Sequence, residues 1–142
     1  MRVSTIKQNN TQNYPSFKMN LSAGEDVMNF YKQRLGSKVN VDSTFSKFKD
    51  SFEESTKGFD ATAKLIIDEK SMGKPEMVLE LADGKLLRAK NQTTWVLAND
   101  INPDKYSLSH AIYCLHKIMK DNGQGDQANN MFSELLRKVM TK

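Results

Sequence analysis

The chain has 142 residues, 21 Lys and Arg against 17 Asp and Glu, and a net charge of +4. That length suits one domain over residues 1–142 that buries roughly two-thirds of its unfolded surface. No apolar run approaches the roughly 20 residues of a bilayer span, and a single Cys excludes an internal disulfide and a Cys-based zinc site. The cation excess is thin and spread along the chain, and only Arg2, Arg34, Arg88 and Arg137 are the forked kind that grips phosphates and guanine edges. The composition therefore argues against nucleic acid as the partner. The first residues carry no apolar core behind Arg2, so no signal peptide is read there. A cytoplasmic location is the default, with export that needs no cleaved signal left open.

The N-terminal part predicts a strand or hairpin. Val3 and Ile6 lie on one side of a polar Asn- and Gln-rich run, and Phe17, Met19 and Leu21 alternate on the other. The polar run reads as a mobile loop, with residues 1–15 the least ordered. Ser22-Ala23-Gly24-Glu25 has the spacing of a capping box and predicts a helix to Leu35, stopped by Gly36. Ala23, Val27, Phe30 and Tyr31 would form its apolar face. A second helix over residues 43–57 carries Phe45, Phe48 and Phe52 at i, i+3 and i+7, extended by Val41 and Phe59. That ridge is narrow. It either presses into the chain's own core or docks on a partner.

A four-stranded antiparallel meander is expected next. Residues 62–68 alternate Ala63, Leu65 and Ile67 against Thr62, Lys64 and Ile66. Residues 76–81 and 85–90 form a hairpin whose register can be worked out. A two-residue turn at Asp83-Gly84 would set Leu79 opposite Arg88 and Met77 opposite Lys90. A three-residue loop, Ala82-Asp83-Gly84, instead pairs Leu79 with Leu87, Met77 with Ala89, Val78 with Arg88 and Glu76 with Lys90. The second register keeps one face apolar, and a one-residue slip would invert every side chain. Gly84 then closes the loop in the left-handed conformation. Residues 93–98 supply the fourth strand, with Trp95 and Leu97 facing the core; its register stays open.

The C-terminal part predicts two helices. Ser107 would cap one running to Asp121, with Leu108, Ala111, Ile112, Leu115, Ile118 and Met119 as its stripe. Asp126 would cap the other, with Ala128, Met131, Phe132, Leu135, Leu136 and Val139. The short Gly-containing link between them calls for an antiparallel pair over one sheet face. The fold class is thus α+β: an N-terminal strand or hairpin, two helices, a four-stranded antiparallel β-meander and a C-terminal antiparallel helix pair.

Few residues carry chemistry. His110 and Cys114 are four apart, so they are neighbours on one helix, but a Cys–His pair needs an orienting group and an oxyanion hole, and two ligands are too few for zinc. Ser4-Thr5-Ile6-Lys7 and Ser71-Met72-Gly73-Lys74 match S-x-x-K without the companion motifs. Gly36-Ser37-Lys38 lacks the upstream Gly of a phosphate-binding loop. Glu76 and Glu80 share a strand face with Arg88 and Lys90 opposite, an ion-paired surface rather than an acid/base pair. No cofactor and no metal is expected. The leading expectation is a non-enzymatic domain acting through protein–protein contact, with an unidentified protein or by self-association, using Phe45, Phe48, Phe52, Tyr14 and Phe17. The alternatives are nucleic-acid binding on a Lys74/Lys85/Arg88/Lys90 face and an enzyme with a site near His110 and Cys114.

Overall fold

The structure is a computed structural model that describes residues 7–8, 19–91 and 93–140. Five strands and four helices are present among them: β1 (Lys7–Gln8), β2 (Met19–Ala23), α1 (Glu25–Leu35), α2 (Val41–Ser55), β3 (Phe59–Ile66), β4 (Glu76–Glu80), β5 (Leu86–Leu87), α3 (Lys105–Asp121) and α4 (Gly125–Met140). The fold is α+β, as expected. Val3 and Ile6 of the predicted strand, the Asn/Gln run beyond Gln8, Tyr14 and Phe17 lie outside the described residues, and Gln8, expected in the loop, belongs to β1.

The sheet is mixed rather than an antiparallel meander. β2 runs parallel to β3, with Leu21 opposite Ala63, and β1 pairs with the first two residues of β3. A parallel pair needs a crossover, and α2 supplies its return arm. The backbone N–H of Met19 donates to Thr56 Oγ1 at 3.2 Å and that of Leu21 to Glu53 Oε2 at 2.9 Å. The end of α2 therefore lies beside the start of β2, and the chain re-enters the sheet in its original direction. The ladder also overrides the expected capping box. Ser22 pairs with Lys64 as a strand residue, and Gly24 occupies the N-cap of α1 with no side-chain bond. α2 begins two residues earlier than predicted because Asn40, not a residue further on, accepts from Ser43 N at 3.0 Å.

The hairpin has the predicted register at its turn. Leu79 faces Leu87, Leu81 N donates to Lys85 O at 2.9 Å, and Gly84 has φ +85. The ladder then stops. The expected Met77–Ala89, Val78–Arg88 and Glu76–Lys90 pairs do not form. The chain leaves the sheet at Arg88, is tied to the end of α3 through Asn122 Nδ2 to Arg88 O and Lys90 N to Asp121 Oδ2, and returns to the same edge of β4. There Trp95 takes the place opposite Glu76, Met77 N donates to Thr94 O at 2.8 Å and Val96 N to Pro75 O at 2.9 Å. Residues 94–96 are thus collinear with β5, not a separate fourth strand. The exchange puts Thr94 beside Met77 and Trp95 beside Glu76, the places expected of Ala89 and Lys90, and buries Val96 one step further along the edge. It also reverses the predicted faces: Val96 points inward and is 0% exposed, and Trp95 points outward beside Glu76.

Met19, Leu21, Ala63, Leu65, Met77, Leu79 and Leu87 form the inner sheet face, and all four helices contribute to the same core. Ala111, Ile112, Leu115, Ile118 and Met119 of α3 and Ala128, Met131, Leu135 and Val139 of α4 are buried, so the predicted stripes are the packed ones. Asp104, not Ser107, caps α3, accepting from Ser107 N at 2.9 Å, and α4 starts at Gly125. Lys105 Nζ reaches Met140 O, which makes the two helices antiparallel.

Candidate functional site

The aromatic ridge of α2 is not a free surface. Phe48 and Phe52 are 0% exposed and Phe45 is 7% exposed, with Phe45 stacked 6.2 Å from Tyr31. A docking surface would need these rings in solvent, so the contact role expected of Phe45, Phe48 and Phe52 is corrected to core packing. The narrow ridge found its groove between α1, α3 and the sheet. Tyr14 and Phe17, the other expected contact residues, are outside the described residues.

His110 and Cys114 do converge with an acid, but in a locked arrangement. His110 Nε2 lies 2.8 Å from Trp95 O, 3.6 Å from Asp100 Oδ2 and 3.7 Å from Cys114 Sγ. A carbonyl oxygen only accepts, so Nε2 carries the proton and donates it to Trp95 O. The same nitrogen has no lone pair left with which to take a proton from the thiol. Asp100 Oδ2 in turn accepts from Leu97 N at 2.9 Å. Burial pushes the Cys114 thiol up to about 12, and the Asp100 charge adds to the shift. The reactive form of cysteine is the thiolate, which this environment suppresses. Tyr31 is raised the same way, by burial first and then by Asp100 and Cys114, while its hydroxyl donates to Val96 O at 2.7 Å.

Arg88, the one arginine of the expected basic face, is equally committed. Arg88 bridges Asp68, at 2.8 and 3.1 Å, and the fully buried Glu76, whose other oxygen has no hydrogen-bond partner among the described residues. The hydrogen bond from Arg88, first among its causes, holds the Asp68 carboxyl down at about 2. Glu80 pairs with Lys64 rather than with a cation of the hairpin. The predicted Lys74/Lys85/Arg88/Lys90 face therefore loses its one arginine to two carboxylates.

A different place gathers binding groups. A cleft of about 240 Å³ lies between α1 and the short turn Ala98–Asp100, lined by Phe30, Arg34, Lys74, Leu97, Ala98 and Asn99. Its floor is apolar and its rim is cationic. The helical i, i+4 spacing sets Arg34 Cζ 4.0 Å from the Phe30 ring centroid. Lys74 Nζ stands 4.8 Å from the Trp95 ring centroid. Each arm has a rigid mount. Phe30 meets Tyr31 edge-on at 6.1 Å, and Tyr31 is anchored on Val96. Lys74 follows a turn held by Ser71 N to Asp68 Oδ1, Asp68 N to Ser71 Oγ and Trp95 Nε1 to Ser71 O. In that turn Met72 is the one non-glycine with positive φ among the described residues, at 59°, followed by Gly73 at 76°. A non-glycine there carries local strain, a feature that clusters at ligand clamps. Among the described residues no carboxylate pairs with Arg34 or Lys74.

The sequence contained part of this signal. Phe30 and Arg34 at i, i+4 are legible as a cation–ring pair, and Lys74 was singled out for its charge. Leu97, Ala98 and Asn99 were not, because their approach to α1 depends on the return of the chain to β4. Among the described residues no group of three acidic, His or Cys side chains could hold a metal, and no helix is long and apolar enough to cross a membrane. Comparison with protein-family models, with curated proteins and with solved structures finds no match to this chain.

Proposed function

We propose that this chain is a non-enzymatic protein-contact module and that its contact site is the cleft between α1 and the Ala98–Asp100 turn. One observation carries the reading: Arg34 and Lys74 are each braced over an aromatic ring at the rim of an apolar floor, with no carboxylate of the described residues engaging them. Surface cations ordinarily swing in solvent or pair with a neighbour. Two that converge on one apolar depression form a recognition element with fixed geometry. The non-enzymatic half of the reading is supported by the donor role of His110 and the suppressed thiol of Cys114.

The mode of contact is side chain into cleft. Strand addition, the other common route, has little to work with on two stretches of the sheet rim. The N–H groups of Met19 and Leu21 are taken by Thr56 and Glu53, and the carbonyls of Trp95 and Val96 by His110 and Tyr31. The test is a photo-crosslinking side chain placed at Asn99, on the cleft rim, and separately at Ser22, an exposed residue of β2. Crosslinks in the native host that form from Asn99 and not from Ser22 are expected. Equal crosslinking from both, or from Ser22 alone, would contradict the assignment.

A further inference from the structure

We infer that the guest of this cleft is an acidic–apolar segment of another polypeptide: a bulky apolar side chain on the floor, with flanking carboxylates on Arg34 and Lys74. This rests on the contact reading and names the chemistry of the partner.

Size comes first. About 240 Å³ is below the roughly 300–1,000 Å³ of pockets that enclose a small molecule or cofactor. It suits one large side chain, held at an open rim by its neighbours along a peptide. Phe30, Leu97 and Ala98 offer that side chain no hydrogen bond, so the inserted group is apolar. Charge comes next. Arg34 and Lys74 reach the rim from different elements, α1 and the turn before β4. A single anion could meet one or both, and a peptide with acids on either side of its apolar residue meets each. The guanidinium fork matches a carboxylate at two points, and the lysine acts as a point charge.

Nucleic acid fits this cleft less well. Bases bind aromatic faces, but Arg34 covers Phe30 and Lys74 covers Trp95. Asn99 alone could read a base edge by its side-chain amide. The chain's own N-terminal segment is a poor guest too, because residues 1–18 contain no Asp or Glu. The carboxylates therefore come from a partner.

Trp95 is the sole tryptophan and lies under Lys74, so its fluorescence reports on the rim. The test titrates the full chain with acetyl-Glu-Leu-Phe-Asp-Glu-amide, its Gln/Asn counterpart and its all-Lys counterpart, following Trp95 emission and the backbone amide shifts of Arg34 and Asn99. The acidic peptide is expected to saturate and to perturb those amides. The Gln/Asn peptide is expected to bind at least about tenfold more weakly. Affinity should fall several-fold from low to high salt, since the pairs are near the surface. The double variant R34E/K74E should lose the acidic peptide, and gain the Lys peptide, while keeping the parent's circular dichroism and melting curve. Cleft shifts produced equally by the neutral peptide, or preferentially by the Lys peptide, overturn the guest chemistry and leave the contact site standing. No shift at the cleft with any peptide at millimolar concentration overturns the inference, and crosslinking from Asn99 then decides the contact reading by itself. Displacement of the acidic peptide by a short oligouridylate would assign the cleft to nucleic acid and overturn it too.

Discussion

The Cys114 thiol rises from its ordinary 9.0 to about 12 because it is buried, with Asp100 adding to the effect. The unfolded chain gives up this proton above about pH 9 and the native chain keeps it. The stabilising contribution is therefore complete below the ordinary thiol range and is lost as pH climbs toward 12. The slope is about 1.4 kcal/mol per pH unit for each such group, and Tyr31 adds in the same direction from higher pH. Urea midpoints measured from pH 8 to 10.5 should fall, and Cys114→Ala should flatten the first part of that fall. An unchanged pH dependence in the variant would contradict the buried-thiol account. The native thiol should also resist alkylation at pH 8 and react at once in denaturant. Arg88 poses the opposite problem, since it neutralises a fully buried Glu76. Removing one member of such a pair strands the other charge, so Arg88→Met should cost about 3–5 kcal/mol. Adding Glu76→Leu to it should recover most of the loss. Additive losses in a double-mutant cycle would mean that the two side chains do not act as a pair.

The elements are closed off by side chains from their neighbours. Glu53 is the clearest case: it is buried, accepts from Leu21 N and pairs with Lys49 at 2.6 Å. Glu53→Ala leaves a buried N–H without a partner and should cost about 2–3 kcal/mol, and Glu53→Gln should cost less because one acceptor survives. Equal costs would mean that packing, not the hydrogen bond, sets the value. Gly84 holds φ +85 at the tip of the hairpin with open space around it. Gly84→Ala should therefore cost about 1–2 kcal/mol through backbone strain alone. The hairpin was legible in the sequence because its turn, its glycine and its Leu79–Leu87 pair are local. So were the stripes of α3 and α4, which need only helical spacing. Three features were not legible. The parallel β2–β3 pair depends on α2 returning along β2, which no residue of β2 announces. The reversal of Trp95 and Val96 depends on Asp121 and Asn122 holding residues 88–90 away from β4. The Phe45/Phe48/Phe52 ridge looked too narrow to bury by itself, but Tyr31 and the sheet complete its groove. The cleft inherits the same long-range dependence, since Leu97 and Ala98 reach α1 only because residues 94–96 sit on β4.

At the scale of the molecule, all four helices join one core with the inner sheet face, Arg88 and Lys64 are answered by carboxylates, and the cysteine–histidine cluster is tied into the backbone. The cleft differs from all of these. Its cations meet no acid among the described residues and lie over aromatic rings instead. The proposed contact reading rests on this contrast. Surface cations add only modestly to affinity but strongly to selectivity and on-rate, so charge reversal should abolish partner choice without unfolding the chain. The decisive measurement is quantitative mass spectrometry of proteins that copurify from the native host with the parent chain, with R34E/K74E and with Cys114→Ala. The account predicts that the charge-reversed variant loses the specific partners at unchanged expression and melting temperature, while Cys114→Ala keeps them. Partners retained by R34E/K74E, or lost on removing the thiol, would contradict it.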